Sequence, residues 1–336
     1  MLRWRNLVAV LCIVLSLVAT GVEAQRFDQQ PVPLGIAMET YAYAYPVKFM
    51  KLNIQGKDVL MAYMDVLPTG KANGKVVVLM HGKNFFGNYW RKTVRFLSEN
   101  GFRVVVPDQI GFGKSTKADI QYSFHLLAQN TKRLLDLLDV EEAAIVGHSM
   151  GGMLATRFAL MYPSTTTRLV LENPIGLEDW RIKVPFVPIE GAYQSILKYT
   201  QEGIRNYHKT YYVKWKDEYD EYVQVHYRWT LSGEYPRLAW ASALTFEMIY
   251  TQPVVYEFPA VRTPTLLVIG QEDRTTLGRG SVTPEVLATL GQYPELGKKA
   301  AAAIPDAKLV EMENVGHIPH LEAPEQFHRE LLLFLK

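Results

Sequence analysis

Ala143-Ala144-Ile145-Val146-Gly147-His148-Ser149-Met150-Gly151-Gly152 carries an apolar run into a turn of small residues around one serine. The run suits a strand buried on both faces, and Met153-Leu154-Ala155-Thr156-Arg157-Phe158-Ala159-Leu160 leaves the turn with helical character. Gly147 and Gly151 complete a G-x-S-x-G pattern. A strand and a helix joined this tightly leave no room for a Cβ at those two positions, so glycine is required. The same turn is expected to hold Ser149 in a strained backbone conformation, with its hydroxyl projecting from the sheet edge. The N–H of Met150 then points to where charge collects on an attacked carbonyl oxygen. An ordinary turn serine is the competing reading, and the flanking strand and helix weigh against it.

Outward from this turn, near-continuous apolar runs recur at Lys75–Met80, Phe102–Pro107, Arg168–Leu171, Pro264–Ile269 and Ala307–Met312. Strands buried on both faces look like this, so a parallel sheet is expected. Helical spacing fills Trp90–Asn100, Ser123–Leu138 and Met150–Met161, with Ser123 placed to cap the second; Glu325–Leu333 closes the chain as another helix. Before the first run, Val47–Ile54 and Asp58–Val66 alternate around Gln55-Gly56-Lys57, an antiparallel hairpin signal. Residues 25–46, rich in Pro and Tyr, read as an irregular arm on the body. The expected fold is α/β: a mostly parallel, doubly wound sheet with a leading antiparallel hairpin. Residues 177–260 break the rhythm with many Tyr and Trp and no convincing strand, and read as an inserted helical cap over the sheet's carboxyl edge. The core then divides into residues 25–176 and 261–336.

The chain opens Met1-Leu2-Arg3-Trp4-Arg5, runs apolar from Leu7 to Ala19, and reaches Val22-Glu23-Ala24. This is the pattern of a secretory signal over residues 1–24, cleaved before Gln25, with a retained anchor as the alternative. The run falls short of the ~20 residues of a membrane-spanning helix. Cys12, the single cysteine, lies inside it, so the mature chain has no disulfide, thiol nucleophile or thiolate metal site. Export to a periplasm or the medium is the expectation. A net charge of +2 with no basic run gives no reason to expect nucleic acid. No His/Asp/Glu set has metal spacing, and Gly111-Phe112-Gly113 lacks the rest of a nucleotide-binding pattern, so no cofactor or metal is expected.

Loops after parallel strands meet at the sheet's carboxyl edge, where ligands bind in such folds. There lie His81-Gly82-Lys83-Asn84, Asp108-Gln109-Ile110-Gly111-Phe112-Gly113, Gly270-Gln271-Glu272-Asp273-Arg274 and Gly316-His317-Ile318-Pro319-His320-Leu321-Glu322. With the serine turn, this set resembles the α/β-hydrolase superfamily in its serine-nucleophile, capped, esterase-like branch. The resemblance runs from about Val47 to the C-terminus. It implies Ser149 as nucleophile, His317 as base and Asp273 as the acid that orients it. It further implies the backbone N–H groups of Met150 and Lys83 as oxyanion donors. Asn84 stands where many relatives have proline, which leaves residue 84 as a second candidate for that donor. Glu272 and Glu172 compete with Asp273; Glu172 follows the next strand, where the superfamily sometimes puts its acid. His148 is expected to pack beside the turn, His81 to brace the oxyanion loop, Asp108 to tie down its glycine-rich loop, and His320 to be a rim or structural residue.

A serine hydroxyl is a weak nucleophile until an imidazole takes its proton, and a carboxylate fixes that imidazole's tautomer. Serine rather than aspartate at the turn argues against the superfamily's dehalogenase and epoxide hydrolase branches. The expected activity is hydrolysis of small, apolar carboxylic esters with water as co-substrate. Carbon–carbon hydrolysis of ring-cleavage products, or an amidase or proline iminopeptidase-like activity, is the alternative on the same residues. A peptidase would need acidic residues such as Glu202, Glu218, Glu221 or Glu234 to hold a free amine. A non-catalytic binding protein is the reading from another class, and it would predict a broken triad.

Overall fold

The computed structural model describes residues 31–336, so the leader expected over residues 1–24 lies outside the described part. Strands β1 (Val47–Ile54) and β2 (Lys57–Val66) pair antiparallel. Only Gln55 and Gly56 separate them, both at positive φ (51° and 76°), the two-residue turn whose twist matches paired strands. Lys57, expected in the turn, therefore opens β2.

The sheet continues with β3 (Val76–Met80), β4 (Arg103–Pro107), β5 (Ala143–His148), β6 (Thr166–Glu172), β7 (Thr265–Gly270) and β8 (Ala307–Met312). Its eight strands lie in the order β1-β2-β4-β3-β5-β6-β7-β8. β2 meets β4 antiparallel, and every later pair is parallel. The apolar runs explain this arrangement, because successive valines and leucines feed opposite faces of one sheet. Val78, Met80, Ile145, Leu169 and Leu267 join a core on one face, while Val77, Leu79, Val146, Val170 and Leu266 join a core on the other. β8 departs from the expectation of two-sided burial. It is the edge strand, with Lys308 and Glu311 exposed.

Helices α1 (Arg91–Glu99), α2 (Phe124–Leu137) and α3 (Met150–Met161) fall where helical spacing predicted them. The Ser123 hydroxyl caps α2 by accepting from the Leu126 N–H at 3.0 Å. The segment between β6 and β7 holds α4 (Ile189–Ile196), α5 (Gln201–Lys209), α6 (Asp220–Thr230) and α7 (Tyr235–Thr251), and no strand. Its aromatics mostly pack. Tyr212 stacks on Tyr219 at 3.9 Å, and Trp229 and Tyr235 share a core with Leu34 and Met38 of the N-terminal arm. The arm thus holds the insertion as well as the body. Three further helices add to those of the sequence pattern: α8 (Pro284–Leu287), α9 (Tyr293–Ala303) and α10 (Pro319–Glu322). The last helix, α11 (Pro324–Leu335), packs beside α1. No helix of the described residues is long and apolar enough to cross a membrane.

Candidate active site

The turn between β5 and α3 has the close approach that its glycines imply. A Cβ on Gly147 would sit 2.1 Å from the Gly151 carbonyl oxygen, and one on Gly151 would sit 2.2 Å from that of Met80. Ser149 lies at φ 58°, ψ −121°, a backbone conformation unfavourable to any residue with a side chain. That strain aims its hydroxyl away from the sheet toward the loops after β7 and β8.

Two side chains from those loops, Asp273 and His317, meet the serine there. His317 Nε2 is 2.9 Å from Ser149 Oγ, and His317 Nδ1 is 2.7 Å from Asp273 Oδ2. A carboxylate only accepts, so Nδ1 carries the proton and Nε2 is left to accept from the serine. All three residues are buried. Asp273 also accepts from the Asn173 amide at 2.7 Å and from the Thr275 N–H at 2.8 Å. Burial alone would raise the Asp273 carboxyl, but the His317 imidazole and the Thr275 N–H outweigh it and hold the group below its ordinary value.

The turn after β3 lies against the serine, since a Cβ on Gly82 would be 3.1 Å from Ser149 Cβ. Neither the Lys83 nor the Met150 backbone N–H has an acceptor among the described residues, so both remain available to a ligand oxygen. The Lys83 ammonium reaches into the insertion and donates to Ser242 O, Ser242 Oγ and Thr245 Oγ1 at 3.0, 2.9 and 3.1 Å. Burial pushes it down to about 7.

A core bridge links this turn to His317. The Gly82 N–H donates to the Tyr89 hydroxyl at 3.1 Å, and that hydroxyl donates to His148 Nδ1 at 3.0 Å. His148 Nε2 donates in turn to the His317 carbonyl at 2.8 Å. Burial, then the neighbouring His317 and His320, pushes His148 well below the usual histidine range, so it stays neutral and keeps this tautomer. His81 braces the loop as expected, accepting from the Gln109 N–H at 3.1 Å and donating to Gly82 O at 2.9 Å. Asp108 collects the Gly87 N–H, the Lys114 N–H and the Tyr43 hydroxyl at 2.6, 2.7 and 2.6 Å.

Glu172 is not brought to His317. Its carboxylate holds the His320 backbone N–H at 2.7 Å and the His320 ring at 2.9 Å, and that ring stacks on Trp90 at 4.0 Å. His320 is therefore a buried structural residue and not a rim residue. Glu272 is exposed. Among the described residues, no His/Asp/Glu group is arranged to hold a metal. Sequence reasoning missed Asn173, which pins Asp273 and accepts from the Gly270 N–H at 3.0 Å. Its one local signal is position: it follows Glu172 at the end of β6 and adopts the positive φ (36°) that asparagine tolerates.

A model of the alpha/beta hydrolase family matches residues 77–330, and the chain belongs to that family. A probable hydrolytic enzyme from Pseudomonas aeruginosa PAO1, known from a crystal structure, has the same fold with a TM-score of 0.89. The two are 47% identical, over 91% of this chain and 99% of the other. The 2-hydroxy-6-oxononadienedioate/2-hydroxy-6-oxononatrienedioate hydrolase of Comamonas testosteroni is 28% identical over 86% of this chain and 96% of its own. Lipase 1 of Psychrobacter immobilis is 27% identical over 88% of each chain.

Proposed function

We propose that the chain is a serine hydrolase of carboxylic esters, working through an acyl-enzyme on Ser149. The observation that supports this most is the unbroken contact from Asp273 through His317 to the serine hydroxyl. Ser149 Oγ attacks the ester carbonyl as His317 Nε2 takes its proton. The carbonyl oxygen becomes an oxyanion held by the backbone N–H groups of Met150 and Lys83. Collapse breaks the carbon–oxygen bond, and His317 returns the proton to the departing alcohol. Water enters, gives a proton to His317 and releases the acid, and Ser149 regains its hydrogen. Asp273 keeps the imidazole oriented and balances its charge in both halves. Each oxyanion donor is worth on the order of 10²–10³ in rate. The aromatic helical insertion serves as a cap over an apolar substrate. The basic, then apolar, N-terminus supports an exported enzyme.

A second reading, hydrolysis of a carbon–carbon bond on the same residues, is favoured by the resemblance to the Comamonas hydrolase over most of both chains. A panel separates the two: p-nitrophenyl esters of graded acyl length, an aminoacyl p-nitroanilide and a ring-cleavage product of a catechol. Ester turnover that exceeds both others and vanishes in Ser149→Ala is expected. Faster turnover of the ring-cleavage product would replace the first reading with the second.

A further inference from the structure

We propose that Tyr211, supplied by the helical insertion, is a positioning residue for both halves of the hydrolytic machinery, the base and the oxyanion turn. This rests on the reading of Ser149 and His317 given above. Tyr211 follows α5, and three of its contacts reach His317 and Asn84. Its ring stacks on the His317 imidazole with centroids 5.0 Å apart and planes at 27°. Its carbonyl oxygen accepts from the His317 N–H at 2.7 Å. Its hydroxyl accepts from the Asn84 side-chain amide at 2.8 Å. Gly316 makes the approach possible, because a Cβ there would lie 2.5 Å from the Tyr211 carbonyl oxygen.

Asn84 immediately follows Lys83, whose backbone N–H is the oxyanion donor in this reading. Both side chains of that pair leave the core for the insertion: Lys83 to Ser242 and Thr245 of α7, Asn84 to Tyr211. Glu322 closes the same junction, accepting from the Val213 N–H and the Gly316 N–H at 2.9 Å each. The core bridge through Tyr89 and His148 would persist if the insertion moved away. The Tyr211 contacts would not. The insertion therefore completes the site as well as covering it, and the site is fully assembled only with the insertion docked. Burial holds the Tyr211 phenol well above its usual range, so its hydroxyl is un-ionised at working pH.

The test compares Tyr211→Phe, Asn84→Ala, their double variant and Tyr211→Ala in the full-length enzyme with a p-nitrophenyl ester. Tyr211→Phe keeps the stack and the main-chain bond and removes only the hydroxyl. Its kcat should fall about three- to tenfold with KM unchanged. Affinity for an alkyl boronic acid, which mimics the oxyanion, should fall by the same factor. Asn84→Ala should match it, and the double variant should lose no more than either single one. Tyr211→Ala should lose about 10²-fold; if it does not fold, the two milder variants decide. Wild-type kcat in both Tyr211→Phe and Asn84→Ala, or a loss confined to KM, would overturn the proposal while leaving the nucleophile assignment intact. Turnover surviving in Ser149→Ala would instead remove the reading on which the proposal rests.

Discussion

Replacing Asp273 by asparagine tests the role proposed for it most sharply, because each hydrogen-bond partner of this carboxylate is a donor. His317 Nδ1 and the Asn173 amide meet Oδ2 at 2.7 Å each, and the Thr275 N–H meets Oδ1 at 2.8 Å. An asparagine must turn its own NH₂ toward one of these sites. Facing Thr275, it sets two donors against each other at a cost of about 1–3 kcal/mol in stability. The imidazole then keeps its tautomer but loses its counter-charge, worth about 4 kcal/mol for charges ~4 Å apart at an effective dielectric of ~20. That corresponds to roughly 10³ in rate. Facing His317, the NH₂ forces Nδ1 to accept and leaves the serine proton without a base, a defect worth about 10⁴ in a serine protease triad. Asp273→Asn should therefore lose about 10³- to 10⁴-fold in kcat with little change in KM, measured with p-nitrophenyl butyrate beside a thermal melt. Glu172→Gln disturbs only the His320 pair and should melt lower while staying within a few-fold of wild-type kcat. A folded Asp273→Asn enzyme within tenfold of wild type, with Glu172→Gln the more damaged, would refute the reasoning.

Asn173→Ala removes the donor to Asp273 and the acceptor of the Gly270 N–H; urea unfolding should show a loss of about 2–4 kcal/mol, and kcat should fall with it. An unchanged midpoint would mean the two bonds carry no stability. Gly151→Ala forces a Cβ against the Met80 carbonyl, so its melting temperature should fall steeply; a shift of under ~2 °C would contradict the close approach. Burial pushes the Lys117 ammonium down to about 7, against partial support from Asp108. Between that value and the ordinary 10.5 the unfolded chain holds a proton that the folded chain has released, so stability should rise with pH, by up to about 1.4 kcal/mol per unit from this group. Lys117→Met should flatten that slope between pH 7 and about 9, and a slope unchanged in the variant would show that Lys117 stays charged in the fold.

Much of the fold was legible because its strands are constrained twice, by burial on both faces and by the turn chemistry at their ends. The serine turn could be read for a related reason, since Gly147 and Gly151 leave no alternative residue. Strand ends moved by a residue or two, as at Lys57 and Arg103, because local pattern does not register where a ladder stops. β8 reads as an interior strand by its Leu309-Val310 pair, and the signal of its edge position is the two charges within it, Lys308 and Glu311. α9 leaves little trace in the sequence pattern because its alanines and lysines carry little apolar contrast. The supports of the site were less visible than its three principal side chains. Asn173, Tyr89 and Tyr211 owe their roles to partners 100, 59 and 106 positions away, to Asp273, His148 and His317. No spacing within the chain encodes those contacts.

The most direct test is covalent. The full-length protein is incubated with a fluorophosphonate, digested and mapped by mass spectrometry, with Ser149→Ala and His317→Ala treated in parallel. A single adduct on the Ser149 peptide, absent from the first variant and greatly slowed in the second, is the expected result. An adduct on another residue, or labelling of Ser149 at the same rate without His317, would contradict a serine activated by that imidazole.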